Sequence, residues 1–158
     1  MIISEDQLTG VGSAGVIYLL RHGDAEGGDG DDGARRLTGK GERQARAAGE
    51  ALARLGAQID TCLTSPRVRA AETARIACLP LGLAPEPTIE LGGGGFDARQ
   101  LAAGRGEVLL VGHEPDLAHQ LARLTGARAK LAKGGLAVLD GPTLLALLRP
   151  ADLAVIAG

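Results

Sequence analysis

Three polar segments of the sequence each follow an apolar run, and their side chains suit one kind of chemistry. They are Arg21-His22-Gly23 after residues 16–20, Ser65-Pro66-Arg67 with Arg69 after residues 59–64, and Gly112-His113-Glu114 after residues 108–111. If the runs are parallel strands, their carboxyl ends meet at one edge of a sheet, where ligands bind in open α/β sheets. Guanidinium groups bind phosphate oxygens two at a time, and N–H groups at a helix N-terminus favour an anion. The three segments together predict a phosphate site.

A divalent metal site is the competing interpretation of the same residues. Candidate ligands follow each histidine, with Asp24 and Glu26 after His22, and Glu114 and Asp116 after His113. Imidazole and carboxylate groups at such spacing can bind a divalent cation. The neighbouring arginines would repel a cation, so we expect a site without metal or other cofactor.

Apolar runs and helix signals predict the elements that position these segments. Strands are expected at residues 16–20, 59–64, 108–111, 136–139 and 144–148, with a further short strand near residues 88–91. Helices are expected at residues 38–55, from Pro66 to about Cys78, at residues 96–103 and at residues 115–124. This alternation predicts an α/β fold, a three-layer α/β/α sandwich with a mostly parallel central sheet. The turn Gly141-Pro142 predicts a hairpin, which gives the sheet one antiparallel edge.

Size and composition indicate one globular domain. The chain has 158 residues, 45% of them hydrophobic, and a net charge of −2, which is not the strongly basic composition of a nucleic-acid-binding protein. No run reaches the ~18 uncharged apolar residues of a membrane span. Residues 1–14 lack periodicity and predict a flexible N-terminal tail, which leaves residues 15–158 as the domain. Without a signal peptide, and with Cys62 and Cys78 expected as reduced core thiols, the chain is expected to be cytoplasmic.

Four motifs resemble the histidine phosphatase superfamily, which includes the cofactor-dependent phosphoglycerate mutases. They are LRHGDAE at residues 20–26, LTGKG at 37–41, TSPRVRAAETA at 64–74 and VGHEP at 111–115. The resemblance covers roughly residues 16 to 150 and implies a phosphoglycerate mutase-like fold. Within the superfamily, the short chain, the RHGDAE opening and the VGHEP segment are most similar to the SixA-type phosphohistidine phosphatases.

The resemblance implies a role for each polar residue at the strand ends. His22 would be the nucleophile that becomes phosphorylated, Arg21 and Arg69 would hold the phosphoryl oxygens, and His113 would complete the pocket. Gly23 would let the backbone approach the phosphate closely. A neutral imidazole can attack phosphorus if an acceptor such as a backbone carbonyl holds its other N–H.

Three further polar residues near the motifs are expected outside the chemistry. The family pattern favours Arg69 over Arg67 as the phosphate ligand, which leaves Arg67 for the rim. Ser65 and Thr38 each precede a predicted helix, and both are expected to act as helix caps rather than as catalytic groups.

The general acid is the part of the family pattern that this sequence leaves open. Many esterase members carry an acid between the second helix and the strand before the second histidine. Here that region offers Glu90, with Glu86 and Asp97 as less favoured candidates. A nitrogen leaving group needs less help from an acid than an alkoxide does, so the open assignment favours a P–N substrate.

Three functions are therefore compatible with the sequence. The first is a metal-independent phosphatase that removes phosphate from phosphohistidine on a protein, through a covalent phosphohistidine on the enzyme. The second is a phosphatase of a small phosphate ester, and the third is a non-catalytic phosphohistidine- or anion-binding module. The expected partner is a phosphorylated protein of the histidine phosphotransfer type or a small phosphorylated compound, with no nucleic acid and no membrane. The chain lacks room for large lid insertions, and an open pocket suits a histidine presented on a partner protein.

Overall fold

The computed structural model describes residues 15–158, and the tail expected at residues 1–14 lies outside the described residues. Within residues 15–158, six strands form one sheet in the order β3-β2-β4-β1-β5-β6. They are β1 (Ile17–Arg21), β2 (Thr61–Thr64), β3 (Glu86–Pro87), β4 (Val108–Gly112), β5 (Leu136–Asp140) and β6 (Thr143–Leu148). The first four strands pair in parallel, whereas β5 and β6 are antiparallel. The expected mostly parallel sheet with one antiparallel edge is confirmed.

Five α-helices among the described residues cover the two faces of this sheet. They are α1 (Gly39–Arg54), α2 (Val68–Cys78), α3 (Ala98–Ala102), α4 (Asp116–Thr125) and α5 (Pro150–Ala157). Side chains of α1, α2 and α5 share one buried cluster, and those of α3 and α4 share the other. The fold is the expected three-layer α/β/α sandwich. No helix in the described part of the chain combines the length and the apolar character that a membrane span requires.

The two central strands β1 and β4 are buried on both faces. Alternate side chains of β1 enter opposite clusters, with Tyr18 and Leu20 in one and Ile17 and Leu19 in the other. Burial on both sides explains why these strands read as continuous apolar runs rather than as an alternating pattern. Cys62 and Cys78 lie in the first cluster as buried free thiols, within the residues that the structure describes, as expected.

The prediction of a short strand near residues 88–91 is wrong in its position. The paired residues are Glu86 and Pro87, and the chain from Ile89 to Gly92 forms a 3₁₀ turn. Ile89 is 84% exposed, so this segment has no second apolar face to bury against the sheet. Its apolar residues therefore mark a turn that packs only Leu91 into the core.

Helix boundaries differ from the expected ones by more than one residue in two places, and one helix was not expected. Helix α2 begins at Val68 rather than at Pro66, and α3 covers only residues 98–102 of the expected 96–103. The unexpected helix is α5. Its N-terminus has Pro150 in the first turn, and the Asp152 carboxylate accepts from the Arg149 backbone N–H at 2.8 Å. Proline followed by an acidic residue is a helix-start signal, and this signal in the sequence could have predicted α5.

Candidate active site

The parallel register of β1, β4 and β2 brings the three polar segments together. Arg21 pairs with Gly112 across β1 and β4, and Thr64 pairs with Val111 across β2 and β4. Beyond these pairs, the His22 N–H donates to the Gly112 carbonyl at 3.1 Å, and the Ser65 N–H donates to the Val111 carbonyl at 2.9 Å. The first residues after the three strands are thus neighbours, as the strand-end argument predicts.

His22 is a buried, neutral imidazole with a defined tautomer. Its Nδ1 lies 2.7 Å from the Gly23 carbonyl oxygen, and because a carbonyl only accepts, Nδ1 carries the proton. Nε2 therefore carries a lone pair, and Arg69 Nε lies 3.4 Å from it. Burial lowers the pKa of His22 to about 4 against the raising effect of the Gly23 hydrogen bond, and the charges of Arg69 and Arg21 lower it further. The ring is a potential nucleophile at neutral pH.

Gly23 has a packing role that the sequence did not indicate. A Cβ at this position would lie 2.6 Å from the Gly41 carbonyl oxygen at the start of α1, so no side chain fits there. The Gly23 N–H donates to Thr73 Oγ1 at 3.0 Å, which ties the end of β1 to α2. Contact between Gly23 and a phosphoryl group stays a prediction.

His113 faces His22 and has the opposite arrangement of partners. The ring centroids are 5.2 Å apart, with 52° between the planes. Nε2 of His113 lies 2.7 Å from Ser65 Oγ, while its Nδ1 is buried without a hydrogen-bond partner among residues 15–158. Burial, and after it the neighbouring His22 and Arg69, lower the pKa of His113 to about 3.

The two buried imidazoles predict a stability that falls in mild acid. Their folded pKa values lie below the ~6.5 of an exposed imidazole, so below that pH the unfolded chain binds more protons than the folded chain. Each histidine should remove about 1.4 kcal/mol from the free energy of unfolding per pH unit between pH 6.5 and pH 4. Urea unfolding at pH 7.5, 6.0 and 5.0 should show a steeper fall for the wild type than for the double variant His22→Gln/His113→Gln. The exposed His119 gives the control His119→Gln, and equal slopes in wild type and double variant would contradict the prediction.

Arg21 is held by a loop that precedes β5. Its Nη1 donates to the Leu131 carbonyl at 2.9 Å, and its Nε is buried without a partner among the described residues. The Gly134 N–H donates to the His22 carbonyl at 2.9 Å, and the Arg21 N–H donates to the Gly135 carbonyl at 3.0 Å. Side chain and backbone of Arg21 are therefore fixed by one segment.

Two of the candidate metal ligands, Glu114 and Asp24, are engaged in hydrogen bonds elsewhere. Glu114 accepts from the N–H groups of Ala118 and Leu131 at 2.8 and 2.9 Å, so it links the start of α4 to the loop that holds Arg21. Asp24 accepts from the Thr38 hydroxyl at 2.8 Å. A search of residues 15–158 finds no group of three His, Cys, Asp or Glu side chains placed to hold a metal ion.

Arg69 and Arg67 begin helix α2 and converge on one acidic residue, Asp32. Arg69 Nη1 donates to the Asp32 carbonyl at 2.8 Å, and Nη2 lies 3.2 Å from the Asp32 carboxylate. Arg67 Nη1 pairs with the same carboxylate. The Arg69 side chain is 6% exposed and that of Arg67 is 37% exposed, so Arg69 lies inside the site and Arg67 at its rim.

Asp32 is the site residue that sequence reasoning missed. It lies in a 3₁₀ turn within the Gly- and Asp-rich loop of residues 24–36, where several acidic residues look alike. Only the folded chain distinguishes it, because its partners Arg67 and Arg69 are 35 and 37 residues away along the chain.

The Asp32 carboxylate shares the guanidinium fork that a phosphoryl group would need, which predicts competition. Replacing Asp32 by Asn should remove this competing charge, and inorganic phosphate should then bind about two- to fivefold more tightly as a competitive inhibitor. Asp29→Asn, with the same charge change in the same loop, is the matched control. Weaker phosphate binding by the Asp32 variant would show that the carboxylate instead holds Arg69 ready for its ligand.

The remaining expected residues lie where local rules place them. Thr38 caps α1, with its hydroxyl accepting from the Gly41 N–H at 3.1 Å, as predicted. Glu86 and Asp97 pair with arginines, at 3.2 Å from Arg105 and from Arg123 respectively. Glu90 is exposed on the turn after β3.

Comparisons with known proteins agree with this architecture. The family described as the histidine phosphatase superfamily (branch 1) matches residues 17–93. An uncharacterised protein of Picosynechococcus is 37% identical over 138 residues, which cover 76% of this chain and 81% of the relative. The protein histidine phosphatase SixA, solved with tungstate, is 25% identical, with a TM-score of 0.76 over 87% of this chain and 99% of that one.

A more distant structure shares the fold alone. The α-ribazole phosphatase of Shigella flexneri is 20% identical, with a TM-score of 0.67 over 85% of this chain and 96% of that one. The family match and the SixA structure point to the same superfamily. The chain belongs to the histidine phosphatase superfamily, as a phosphatase of SixA-like fold.

Proposed function

We propose that the chain removes phosphate from phosphohistidine on a partner protein, through a covalent phosphohistidine formed at His22. The observation that carries the proposal is the state of His22. Its proton is held on Nδ1 by the Gly23 carbonyl, and its depressed pKa keeps Nε2 unprotonated at neutral pH. A neutral imidazole of this tautomer is a nucleophile, whereas an imidazolium is not.

Buried donors around Nε2 suit the charge of a transferring phosphoryl group. Arg69 Nε lies 3.4 Å from Nε2. Arg21 Nε and His113 Nδ1 are buried polar atoms without partners among the described residues, and phosphoryl oxygens would satisfy both. Phosphoryl transfer spreads negative charge over three equatorial oxygens, and preorganised donors stabilise such charge. We assign Arg21, Arg69 and His113 this role, with Arg67 at the rim.

The reaction then has two steps. Nε2 of His22 attacks phosphorus while the bond from phosphorus to the leaving nitrogen breaks, and that nitrogen keeps the electron pair and takes up a proton. Water next attacks the phosphorylated His22, the bond between phosphorus and Nε2 breaks, and inorganic phosphate leaves. The attacking water loses one proton to solvent, and His22 returns to its neutral state.

A nitrogen leaving group fits this site because none of the three candidate general acids is both unpaired and buried. Glu86 and Asp97 are paired with arginines, and Glu90 is exposed. An imidazole leaving group is protonated more easily than an alkoxide and depends less on an enzymic acid. The solved SixA structure supports this choice, because that protein is described as a protein histidine phosphatase.

The second candidate is a phosphatase of a small phosphate ester. The α-ribazole phosphatase of Shigella flexneri shares the fold and supports it. This chain has one Tyr, one Phe and no Trp, so it has few side chains on which the base of such an ester could stack. That composition favours recognition through the phosphoryl group and its protein surroundings.

Turnover of matched substrates tests the proposal. Phosphoramidate and a phosphohistidine peptide would be compared with p-nitrophenyl phosphate and phosphoglycerate, all in EDTA. We expect higher kcat/KM for the P–N compounds, with no loss of activity on chelation. Higher kcat/KM for an ester would replace the proposal with the second candidate. Phosphate binding without any turnover would identify a binding module.

A further inference from the structure

The hydroxyl of the fully buried Ser65 makes two hydrogen bonds. Its Oγ accepts from the Arg67 backbone N–H at 3.1 Å, a turn contact just before α2. The helix cap expected at Ser65 is wrong, because α2 begins at Val68 and its N-cap is Arg67, which has no side-chain cap hydrogen bond. The same oxygen lies 2.7 Å from Nε2 of His113, a residue that is 7% exposed. The local turn therefore accounts for only one of the two contacts of the hydroxyl.

The direction of the second hydrogen bond follows from counting protons. A hydroxyl has one proton to donate, and the Arg67 N–H already uses one of the lone pairs on Oγ. If His113 Nε2 also donated to Oγ, both the hydroxyl proton and the Nδ1 lone pair would lack a partner among residues 15–158, in buried positions. Donation by the hydroxyl to Nε2 leaves only the Nδ1–H of His113 without a partner, and a bound ligand can satisfy that group. Because buried polar groups without partners are costly, the hydroxyl donates to Nε2. His113 then carries its own proton on Nδ1.

We propose that Ser65 is a positioning residue that holds His113 with its proton on Nδ1, so that Nδ1–H donates to a phosphoryl group at His22. The unpartnered Nδ1 is the atom that this arrangement leaves available. The lowered pKa of His113 supports it, because a neutral ring has only one N–H to direct. The inference rests on the proposed function only for the identity of the group that accepts this hydrogen bond.

The two imidazoles then present complementary atoms to one ligand. His22 is fixed by a carbonyl acceptor and offers a lone pair, whereas His113 is fixed by a hydroxyl donor and offers an N–H. Their ring centroids are 5.2 Å apart, so one phosphoryl group can contact both. Without the Ser65 hydroxyl, His113 could place its proton on Nε2 and turn a lone pair toward the negatively charged oxygens.

The tautomer can be read directly by ¹⁵N NMR of protein labelled at its three histidines, His22, His113 and His119. In the wild type at pH 7.5, His113 should show a protonated Nδ1 and an unprotonated Nε2, and its Nδ1–H signal should shift when inorganic phosphate is added. In Ser65→Ala, His113 should become a tautomer mixture or the Nε2–H form, while His22 stays unchanged. The same variant should lose about tenfold in kcat/KM, the effect of one hydrogen bond.

Two controls separate the positioning of His113 from a general loss of stability at the start of a helix. Thr38→Ala removes the cap of α1 and should lower stability without changing the His113 tautomer. Ser65→Thr keeps the hydroxyl and should retain the Nδ1–H form. If Ser65→Ala does not fold, the wild-type spectrum with and without phosphate shows which tautomer His113 adopts and whether its Nδ1–H responds to phosphate. An Nε2–H form of wild-type His113, or an unchanged tautomer in folded Ser65→Ala, would overturn the inference. An Nδ1–H signal that responds to phosphate in a protein without turnover would overturn the proposed function alone.

Discussion

Replacement of His22 by alanine should reduce kcat/KM by at least about four orders of magnitude, because it removes the only atom proposed to bond to phosphorus. Brief incubation of the wild type with labelled substrate should leave acid-labile, base-stable phosphate on the protein, and the variant should carry none. The rest of the pocket remains in place, so inorganic phosphate should still protect the variant against thermal unfolding. Quenched incubation followed by scintillation counting of the protein measures the first effect, and a melting curve measures the second.

The variant His22→Asn separates the loss of the attacking nitrogen from the loss of the hydrogen bond to the Gly23 carbonyl. The amide NH₂ of His22→Asn can still donate to the Gly23 carbonyl, but the side chain has no nitrogen lone pair for attack. It should therefore be as inactive as the alanine variant. His119→Ala, on the exposed face of α4, removes an imidazole without touching the site and should keep wild-type activity and labelling. Label that persists in His22→Ala would assign the nucleophile to another residue, with His113 the first to examine.

The sequence predicted those parts of the fold that depend on local patterns. Strands β1 and β4 are buried on both faces, and a short run of apolar residues predicts such a strand directly. The rule that ligands bind at the carboxyl ends of parallel strands then places His22 and His113 together. Thr38 was found because a cap contacts an N–H only three residues away.

Contacts between distant segments account for what the sequence did not predict. The hydrogen bond from the Arg67 N–H to Ser65 Oγ is local, but the contact of Ser65 with His113 joins residues 48 positions apart. Asp32 resembles the other acidic residues of its loop until α2 brings two arginines to it. Gly23 was expected to make room for a phosphate, whereas the close neighbour it accommodates is the Gly41 carbonyl. The first contact depends on the pairing of β2 with β4, and the other two depend on how α2 and α1 pack beside the segment that follows β1.

The second large effect is the loss of kcat/KM when Arg69 is replaced. Arg67 provides the matched control, because both arginines lie at the start of α2 and both pair with Asp32. Arg69 is buried and its Nε lies 3.4 Å from Nε2 of His22, the proposed nucleophile, whereas Arg67 is at the rim. Arg69→Ala should lower kcat/KM by about 10²- to 10³-fold, the loss typical of a deleted charge-stabilising donor. Arg67→Ala removes the same charge from the same carboxylate and should cost only a few-fold, because exposed pairs contribute little.

The variant Arg69→Lys distinguishes the contribution of the planar guanidinium group from that of the positive charge at the same position. Arg69→Lys keeps a positive charge but loses the planar fork, so it should recover only part of the activity lost in Arg69→Ala. Steady-state kinetics on a phosphohistidine peptide, with inorganic phosphate as competitive inhibitor, give both kcat/KM and phosphate affinity for each variant. If Arg67→Ala proved the more damaging change, the phosphoryl group would bind at the rim of the pocket. The nucleophile would then have to act without the guanidinium that lies beside it.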